Sequence, residues 1–200
     1  MSSNKPYHHG NLREALLRAS LDLIHEAGVQ GFTLREVARR AEVSHAAPYR
    51  HFRDKAQLLA AIAEEGFDRL TEGMRSASSK SPNAFERLRS AGLAYIEFAR
   101  QHPQHFLVMF AVDLNANLYP SANAAAERAF AELLSLVTAC LHARPSETLQ
   151  AETVALLAWT QVHGIADLSL RNQLGFKTDR ELKQFAKLAI EVFGRGAQLA

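Results

Sequence analysis

Residues 33–55, TLREVARRAEVSHAAPYRHFRDK, decide the fold, because they predict two short helices joined by a tight turn. Thr33 and Glu36 have the spacing of a capping box, which starts the first helix after Thr33. A turn at residues 41–43 leads to a second helix that opens at Ser44. Small residues at the start of this helix, followed by aromatic and basic side chains, favour insertion into the major groove of DNA.

Two residues of this stretch break local rules of chain geometry. Glu42 occupies a turn position where a positive φ would favour glycine, at a cost of about 1 kcal/mol. Pro48 is the fourth residue after the Ser44 cap. It lacks the N–H of the first intrahelical hydrogen bond and restricts the backbone angles of Ala47. Such violations are frequent at functional sites. The entry of the second helix therefore depends on Glu42 and Pro48.

Composition indicates an ordinary globular protein that works in a reducing compartment. The chain has 200 residues, of which 48% are hydrophobic and 22% are charged. Its single cysteine, Cys140, lies in an apolar run, so we expect a buried thiol and no disulfide framework. The sequence shows neither a run of about 18 apolar residues nor a secretion signal at its start. These features predict a cytoplasmic protein.

Charge and polarity divide the chain into a basic head and a near-neutral body. Residues 1–55 contain nine basic and six acidic residues, whereas the remainder contains fourteen and fifteen. A basic head favours an anionic partner for that part alone. The polar segment SASSKSPN at residues 76–83 is the clearest break. We therefore expect a head at residues 1–55, a linking helix at about 55–75 and a body at 76–200.

Apolar residues recur at spacings of three and four throughout, and no strand pattern occurs, so the sequence predicts an all-α fold. The first helix should follow an Asn11 cap and end at Gly28, and Asp54 should cap the linking helix. The stretch HFLVMFAVDL at residues 105–114 is apolar nearly all round and should be buried. The other expected body helices lie near residues 84–100, 122–141, 147–171 after a Ser146 cap, and 179–194.

Residues 33–55 and the following LLAAIAEEGF resemble the DNA-binding head of the TetR family of bacterial transcriptional regulators. The segment YHHGNLREALLRASLDLI is similar to the first helix of one large subgroup, whose body carries a Trp-x-x-x-His-Gly motif. Trp159, His163 and Gly164 match that motif. Glu42 and Pro48 depart from the residues that are common there, glycine and leucine. The head residues that match the family pattern are Thr33, Val43, Ser44, Tyr49, His51, Phe52 and Lys55.

The resemblance implies an all-helical homodimer. Its head is a three-helix unit with a helix-turn-helix, joined by the linking helix to a larger helical bundle that binds ligand and dimerises. We therefore expect a ligand-responsive regulator, a repressor, that binds a pseudo-palindromic operator as a dimer. A small apolar or amphipathic ligand in the body would release it from double-stranded DNA. No cofactor is implied.

The resemblance also implies which side chains meet the DNA. Tyr49, His51 and Lys55 fall at positions that contact phosphates in the family, and Thr33 adds a helix N-terminus. Arg35 suits a guanine edge, and alanine methyls suit thymine methyls, so these residues are the expected base readers together with His45. The complete candidate set is Thr33, Arg35, Ser44, His45, Ala46, Ala47, Tyr49, Arg50, His51 and Lys55.

Large apolar residues of the body make an apolar pocket between its helices plausible, although the same spacing is typical of an ordinary core. His163 lies one turn after Trp159 on the same helix face, where it either orients a ligand or is structural. His102 and His105 are interrupted by Pro103 and lack further ligands, so no metal site is expected. The candidate ligand-binding residues are Tyr95, Phe98, Phe106, Met109, Phe110, Trp159 and His163.

The last two long helices are the expected dimer interface. Their residues could equally pack within one subunit, and we expect them to share both roles. The candidates are Val162 and Leu170 on one helix, and Leu182, Phe185, Ala189, Val192 and Phe193 on the other.

Two further functions compete with a ligand-responsive repressor. One is a DNA-binding regulator that senses no small molecule. The other is an enzyme that uses some of the nine histidines, several of which lie in the helical body. No glycine-rich phosphate loop, Ser/His/Asp set or HExxH motif supports an enzyme.

Overall fold

Helices alone build the described part of the chain, residues 12–143 and 150–199 of a computed structural model. No strand occurs in these two ranges, and the all-α prediction is confirmed. In order the elements are α1 (Leu12–Ala27), α2 (Leu34–Arg40), a 3-10 helix (Pro48–Arg50), α3 (Lys55–Ser78), α4 (Ala84–Gln101), α5 (Pro103–Ala111), α6 (Pro120–Ala143), α7 (Ala151–Leu170) and α8 (Asp179–Gly196).

Local signals set the bounds of α1 and α2. Gly28 has φ 77°, a left-handed conformation that ends α1 at little cost for glycine. The predicted capping box is present: Glu36 N donates to Thr33 Oγ1 (3.3 Å), and Thr33 N donates to Glu36 Oε2 (2.8 Å). Both predictions are confirmed, whereas the proposed Asn11 cap lies outside the described residues.

The prediction of an α-helix that opens at Ser44 is wrong. Residues 44–47 make turns, and helical structure is limited to the three residues of the 3-10 helix. Because Pro48 has no N–H, the Ser44 carbonyl accepts from Ala47 N (2.9 Å), which is a turn of 3-10 type. Ala47 keeps helical angles (φ −61°, ψ −44°), so the expected restriction before proline is not observed. Glu42 does adopt the positive φ that its turn position predicted, at 56°.

α3 links the head to the body and is longer than predicted, ending at Ser78 instead of near residue 75. Asp54 caps it by accepting from Gln57 N (2.8 Å), as predicted. The helix packs against α4, α5 and α6, while α4 in turn packs against α6, α7 and α8. The larger of two apolar clusters consequently runs from the head through α3 into the body.

The body contains the expected helices with bounds that shift by a few residues. One prediction is wrong in part: α5 is not buried all round, because Leu107 and Phe110 are 41% and 37% exposed. Only the face of α5 that packs on α3 and α4 is covered. The proposed Ser146 cap lies outside the described residues. Cys140 is buried, and its burial raises the thiol pKa to about 11, as expected for a structural cysteine.

Among the helices described, none is both long enough and apolar enough to cross a membrane.

Candidate DNA interface and ligand cavity

Most of the candidate DNA-contacting side chains lie on the surface of the head. Arg35 and Arg50 take part in no ion pair within the described ranges, whereas Arg40 is paired with Glu26 (2.6 Å). Unpaired guanidinium groups remain available to phosphate or base edges. The exposed candidates are Thr33, Arg35, Ser44, His45, Ala46, Tyr49, Arg50 and His51.

Arg39 is a candidate that the sequence reading missed. It is exposed, lies one helical turn after Arg35 on α2, and has no ion-pair partner in the described chain. The i, i+4 spacing of the two arginines was the signal that would have identified it. Together they place two positive charges on one face of α2.

Ala47 does not belong among the base readers. Its side chain is only 7% exposed, and the neighbouring Pro48 is buried as well. The bond from Val43 N to Ala38 O (2.9 Å) closes the turn after α2, and the 3-10 helix that follows Ala47 packs against α2. The correction leaves His45 and Ala46 as the exposed residues at the start of the segment.

Lys55 has an intramolecular role that its sequence position did not reveal. Its Nζ donates to the carbonyls of Gln30 (3.0 Å) and Phe32 (2.9 Å) and lies 4.2 Å from the Phe32 ring centroid. Partial burial lowers the Lys55 pKa, and the nearby Glu36 carboxylate partly opposes this shift. Lys55 thus ties the start of α3 to the loop before α2, and one of its three N–H donors remains for another acceptor.

A cavity of about 520 Å³ lies inside the body, between α3, α4, α6, α7 and α8, with one residue from α5. Its size falls in the range of about 300–1,000 Å³ that is usual for small-molecule sites. Three of the candidate ligand-binding residues line it: Tyr95, Phe110 and Trp159. The sequence reading missed the remaining aromatic lining, which is Phe67, Phe130 and Phe193.

Phe98, Phe106, Met109 and His163 do not line the cavity. Phe98 and Met109 are buried in the core, the latter against Gly66 of α3. Phe106 stacks on the His163 ring, with centroids 5.2 Å apart. Phe106 and Met109 lie on the buried face of α5, the helix that packs on α3 and α4, and so they belong to the core rather than to the cavity wall.

Tyr95 connects the cavity wall to His163 through hydrogen bonds. Trp159 Nε1 donates to Tyr95 Oη (3.2 Å), and the Tyr95 hydroxyl and His163 Nδ1 share a second hydrogen bond (2.9 Å). Burial raises the Tyr95 pKa well above its usual range, so the hydroxyl keeps its proton. Burial lowers the His163 pKa, partly offset by Asp167, and so favours the neutral imidazole. The Trp159 and His163 side chains therefore act together on one hydroxyl.

His105 is a buried histidine at the contact between α5 and α3. Its Nε2 has no hydrogen-bond partner in the described chain and lies 3.6 Å from Glu65 Oε1. Burial lowers the His105 pKa, while Glu65 opposes the shift and Arg69 and His102 add to it. Within the described ranges, no group of three His, Cys, Asp or Glu side chains could hold a metal ion.

The outer faces of α7 and α8 expose several large apolar side chains. Phe185 and Val192 of the predicted interface are among them, whereas Val162 and Leu182 are buried in the core of the same chain. The buried pair is therefore unsuited to contact a partner. Leu170, Ala189 and Phe193 are partly buried. The exposed residues of these helices that the sequence did not predict are Leu156, Leu157, Leu168 and Leu188.

Comparison with known proteins finds one family over both parts of the chain. Residues 16–62 match "Bacterial regulatory proteins, tetR family", and residues 88–193 match "Tetracyclin repressor-like, C-terminal domain". The class A tetracycline repressor of transposon 1721 from Escherichia coli is 39% identical over 95 residues, which are 44% of this chain and 43% of that protein. The activator FasR of Mycolicibacterium smegmatis is 31% identical over 101 residues, 50% of this chain and 46% of that protein. The chain thus spans less than half the length of these relatives.

Solved structures extend the likeness to the whole fold. A protein of unknown function from Rhodococcus sp. RHA1 is 33% identical, covers 96% of this chain and 98% of its own, and superposes with a TM-score of 0.83. Bacillus subtilis FadR in complex with stearoyl-CoA is 16% identical and has a TM-score of 0.74. The match covers 90% of this chain and 96% of FadR, and it supports the fold alone. Since the C-terminal match by itself spans more than half of the residues, the chain belongs to the TetR family, whose members are transcriptional regulators and not enzymes.

Proposed function

We propose that this chain is a ligand-responsive repressor. It binds a pseudo-palindromic operator as a homodimer through residues 1–55, and a small apolar or amphipathic molecule in the body, residues 76–200, releases it. The observation that carries the proposal is the 520 Å³ cavity, whose wall includes a residue of α5, the body helix that also contacts α1 of the head.

The head supplies the DNA-binding part of the proposal. Arg35 and Arg39 extend from one face of α2, and Tyr49, 54% exposed, extends from the 3-10 helix. The arginines would contact phosphates and a guanine edge, while the tyrosine hydroxyl would donate to a phosphate. Lys55 would use its remaining N–H in the same way. The exposed residues of the candidate set, with Arg39 added and Ala47 removed, form the proposed interface.

The dimer would form through the exposed apolar faces of α7 and α8. Two heads must be held at a fixed spacing to read two half-sites of a pseudo-palindrome. Leu157, Leu168, Phe185, Leu188 and Val192 provide an apolar surface on two neighbouring helices, which favours a helix-bundle contact between copies.

The cavity and the head are connected through α5. Phe110 lines the cavity and contacts both the His163 ring (4.5 Å between centroids) and the Phe67 ring (5.8 Å). On the same helix, the Gln104 amide nitrogen donates to His25 Nδ1 of α1 (3.0 Å). A ligand that displaces Phe110 would thus shift an element that touches the head, which supports release of DNA by occupancy of the cavity.

We also assign the chain to the subgroup that carries the Trp-x-x-x-His-Gly motif, and to the cytoplasm. Trp159 and His163 both bond the Tyr95 hydroxyl, which gives the spacing of the motif a physical role. A DNA partner and a single buried cysteine agree with a reducing compartment.

Selection from random duplex DNA tests the operator part of the proposal. The selected sites should be pseudo-palindromes that bind two chains, as measured by sedimentation. Arg35→Ala should lower affinity by about 1–3 kcal/mol relative to wild type, as expected for one base contact. Lys80→Ala, which removes an exposed cation between α3 and α4, is the control and should leave affinity unchanged. Recovery of a single asymmetric half-site bound by one chain would contradict the proposal.

A compound screen separates this proposal from a regulator without a ligand. Compounds that raise the melting temperature of the free protein should also release it from the selected operator. If no compound changes either quantity, the chain is a DNA-binding regulator that senses no small molecule.

A further inference from the structure

We propose that the cavity takes an uncharged, largely apolar ligand and rejects anionic ones. This inference rests on the proposed function, since it names the chemical class of ligand for the same cavity.

No cationic side chain lines the cavity in the described chain. Its lining includes no lysine, arginine or histidine, and Glu127 is its one charged residue. Arg75 and Arg128 lie on the lining helices α3 and α6, but they are paired with Glu132 (3.1 Å) and Asp68 (2.7 Å). A carboxylate or phosphate inside the cavity would lose its hydration without gaining a counter-charge, which is costly.

Glu127 adds a negative charge at the exposed rim of the cavity. Its side chain is open to solvent, and its Oε1 accepts from Asn123 Nδ2 (2.8 Å). The carboxylate repels an anionic head group that approaches the opening, and hydration keeps this repulsion weak. Because Glu127 is hydrated, its attraction for a cationic head group is weak and does not offset the desolvation of that group.

Few polar atoms inside the cavity remain free, which limits the hydrogen bonds of the occupant. The Tyr95 hydroxyl and Trp159 Nε1 already bond to each other, and the hydroxyl shares a second hydrogen bond with His163 Nδ1. Gln161 Nε2 donates to Ala189 O (3.0 Å), while its Oε1 has no partner within the described residues. The lining therefore fits a neutral molecule that is mostly hydrocarbon or aromatic and carries about one hydrogen-bond donor.

Trp159 provides a built-in reporter of occupancy, because it is the only tryptophan of the chain and lines the cavity. Decanol, decanoate and decyltrimethylammonium share one alkyl chain and differ in head-group charge. All three are titrated at neutral pH, below the micelle concentrations of the two ions and the solubility limit of decanol. Decanol should change Trp159 fluorescence with an affinity at least about tenfold higher than that of either ion. Equal or tighter binding of decanoate or decyltrimethylammonium overturns the proposal, and so does the absence of binding by all three.

A charge placed in the cavity tests the cause of this selectivity. Gln161→Lys should increase the affinity for decanoate by about tenfold or more, because it adds the missing counter-charge. Ala139→Lys adds the same charge on the exposed surface of α6, outside the lining, and should leave decanoate binding as in wild type. Equal effects of the two variants would attribute the selectivity to overall charge and overturn the proposal.

Operator release, measured in the same samples, separates this inference from the proposed function. Decanol that binds without releasing DNA leaves the charge selectivity intact and contradicts the proposed ligand response. Decanoate that binds more tightly than decanol and releases DNA supports the ligand response and overturns the charge selectivity.

Discussion

The linking helix α3 contains two glycines in opposite surroundings, and they yield a matched pair of stability predictions. Gly66 is buried against α5, and a Cβ there would lie 2.6 Å from Met109 Sδ and 2.9 Å from Met109 Cγ. Gly73 is exposed on the same helix, and a Cβ there would meet no atom within 4 Å. Substitution by alanine therefore adds the same methyl group to the same helix, at a crowded site in Gly66→Ala and at an open site in Gly73→Ala.

The net effect on stability differs between the two sites. Alanine favours a helix over glycine by about 1 kcal/mol, so Gly73→Ala should raise the free energy of unfolding by about that amount. Gly66→Ala gains the same propensity but forces Met109 and α5 away from α3, and overpacking costs about 1–3 kcal/mol. The two variants should consequently differ by about 1–3 kcal/mol, with Gly66→Ala the less stable.

Urea denaturation followed by the fluorescence of Trp159 measures this difference. The protomer concentration must be equal in all samples, because the stability of a dimer depends on it. In thermal unfolding, each kcal/mol should move the melting temperature by about 2–4 °C for a chain of this size. If Gly66→Ala stabilises the protein as much as Gly73→Ala, the close packing of α5 on α3 is refuted.

Three further predictions concern DNA binding, dimerisation and the buried His105. Lys55→Ala should weaken binding to all DNA sequences and flatten the slope of log affinity against log salt by about one. An unchanged slope would show that Lys55 contacts no phosphate and serves only to bond the loop carbonyls. Leu188→Glu should weaken dimerisation by at least about tenfold in sedimentation, whereas Leu118→Glu, at a residue with the same 59% exposure, should not; equal effects would place the interface elsewhere. His105 has a lowered pKa in the folded protein, so the unfolded chain binds more protons and stability is lost as the pH falls below about 6.5. His105→Gln should reduce this loss in melting curves recorded from neutral to mildly acidic pH, and an identical pH dependence would exclude His105 as its source.

Local features of this protein were predictable because neighbouring residues determine them. The Thr33–Glu36 capping box, the Asp54 cap, the glycine that ends α1 and the positive φ of Glu42 each depend on a few adjacent groups. Periodic apolar residues likewise identified the helices, since a helix needs one face to bury. The family resemblance added the arrangement of head and body, and the matches to both parts agree with it.

Tertiary packing decided what each side chain meets, and the sequence pattern could not supply this. Ala47 is of the right size for close approach to DNA, yet it is buried beside Pro48, where the 3-10 helix packs against α2. Lys55 has the charge for a phosphate, yet two loop carbonyls distant in sequence take two of its donors.

The body shows the same division. Its aromatic residues were identified from the sequence, but only Tyr95, Phe110 and Trp159 of the seven candidates line the cavity, and Phe67, Phe130 and Phe193 were missed. The sequence of a helix shows which face is apolar and should be buried. It does not show which neighbouring helices that face will contact in the bundle. Whether an aromatic ring fills the core or lines a cavity depends on the packing of those neighbours, which is a property of the assembled fold.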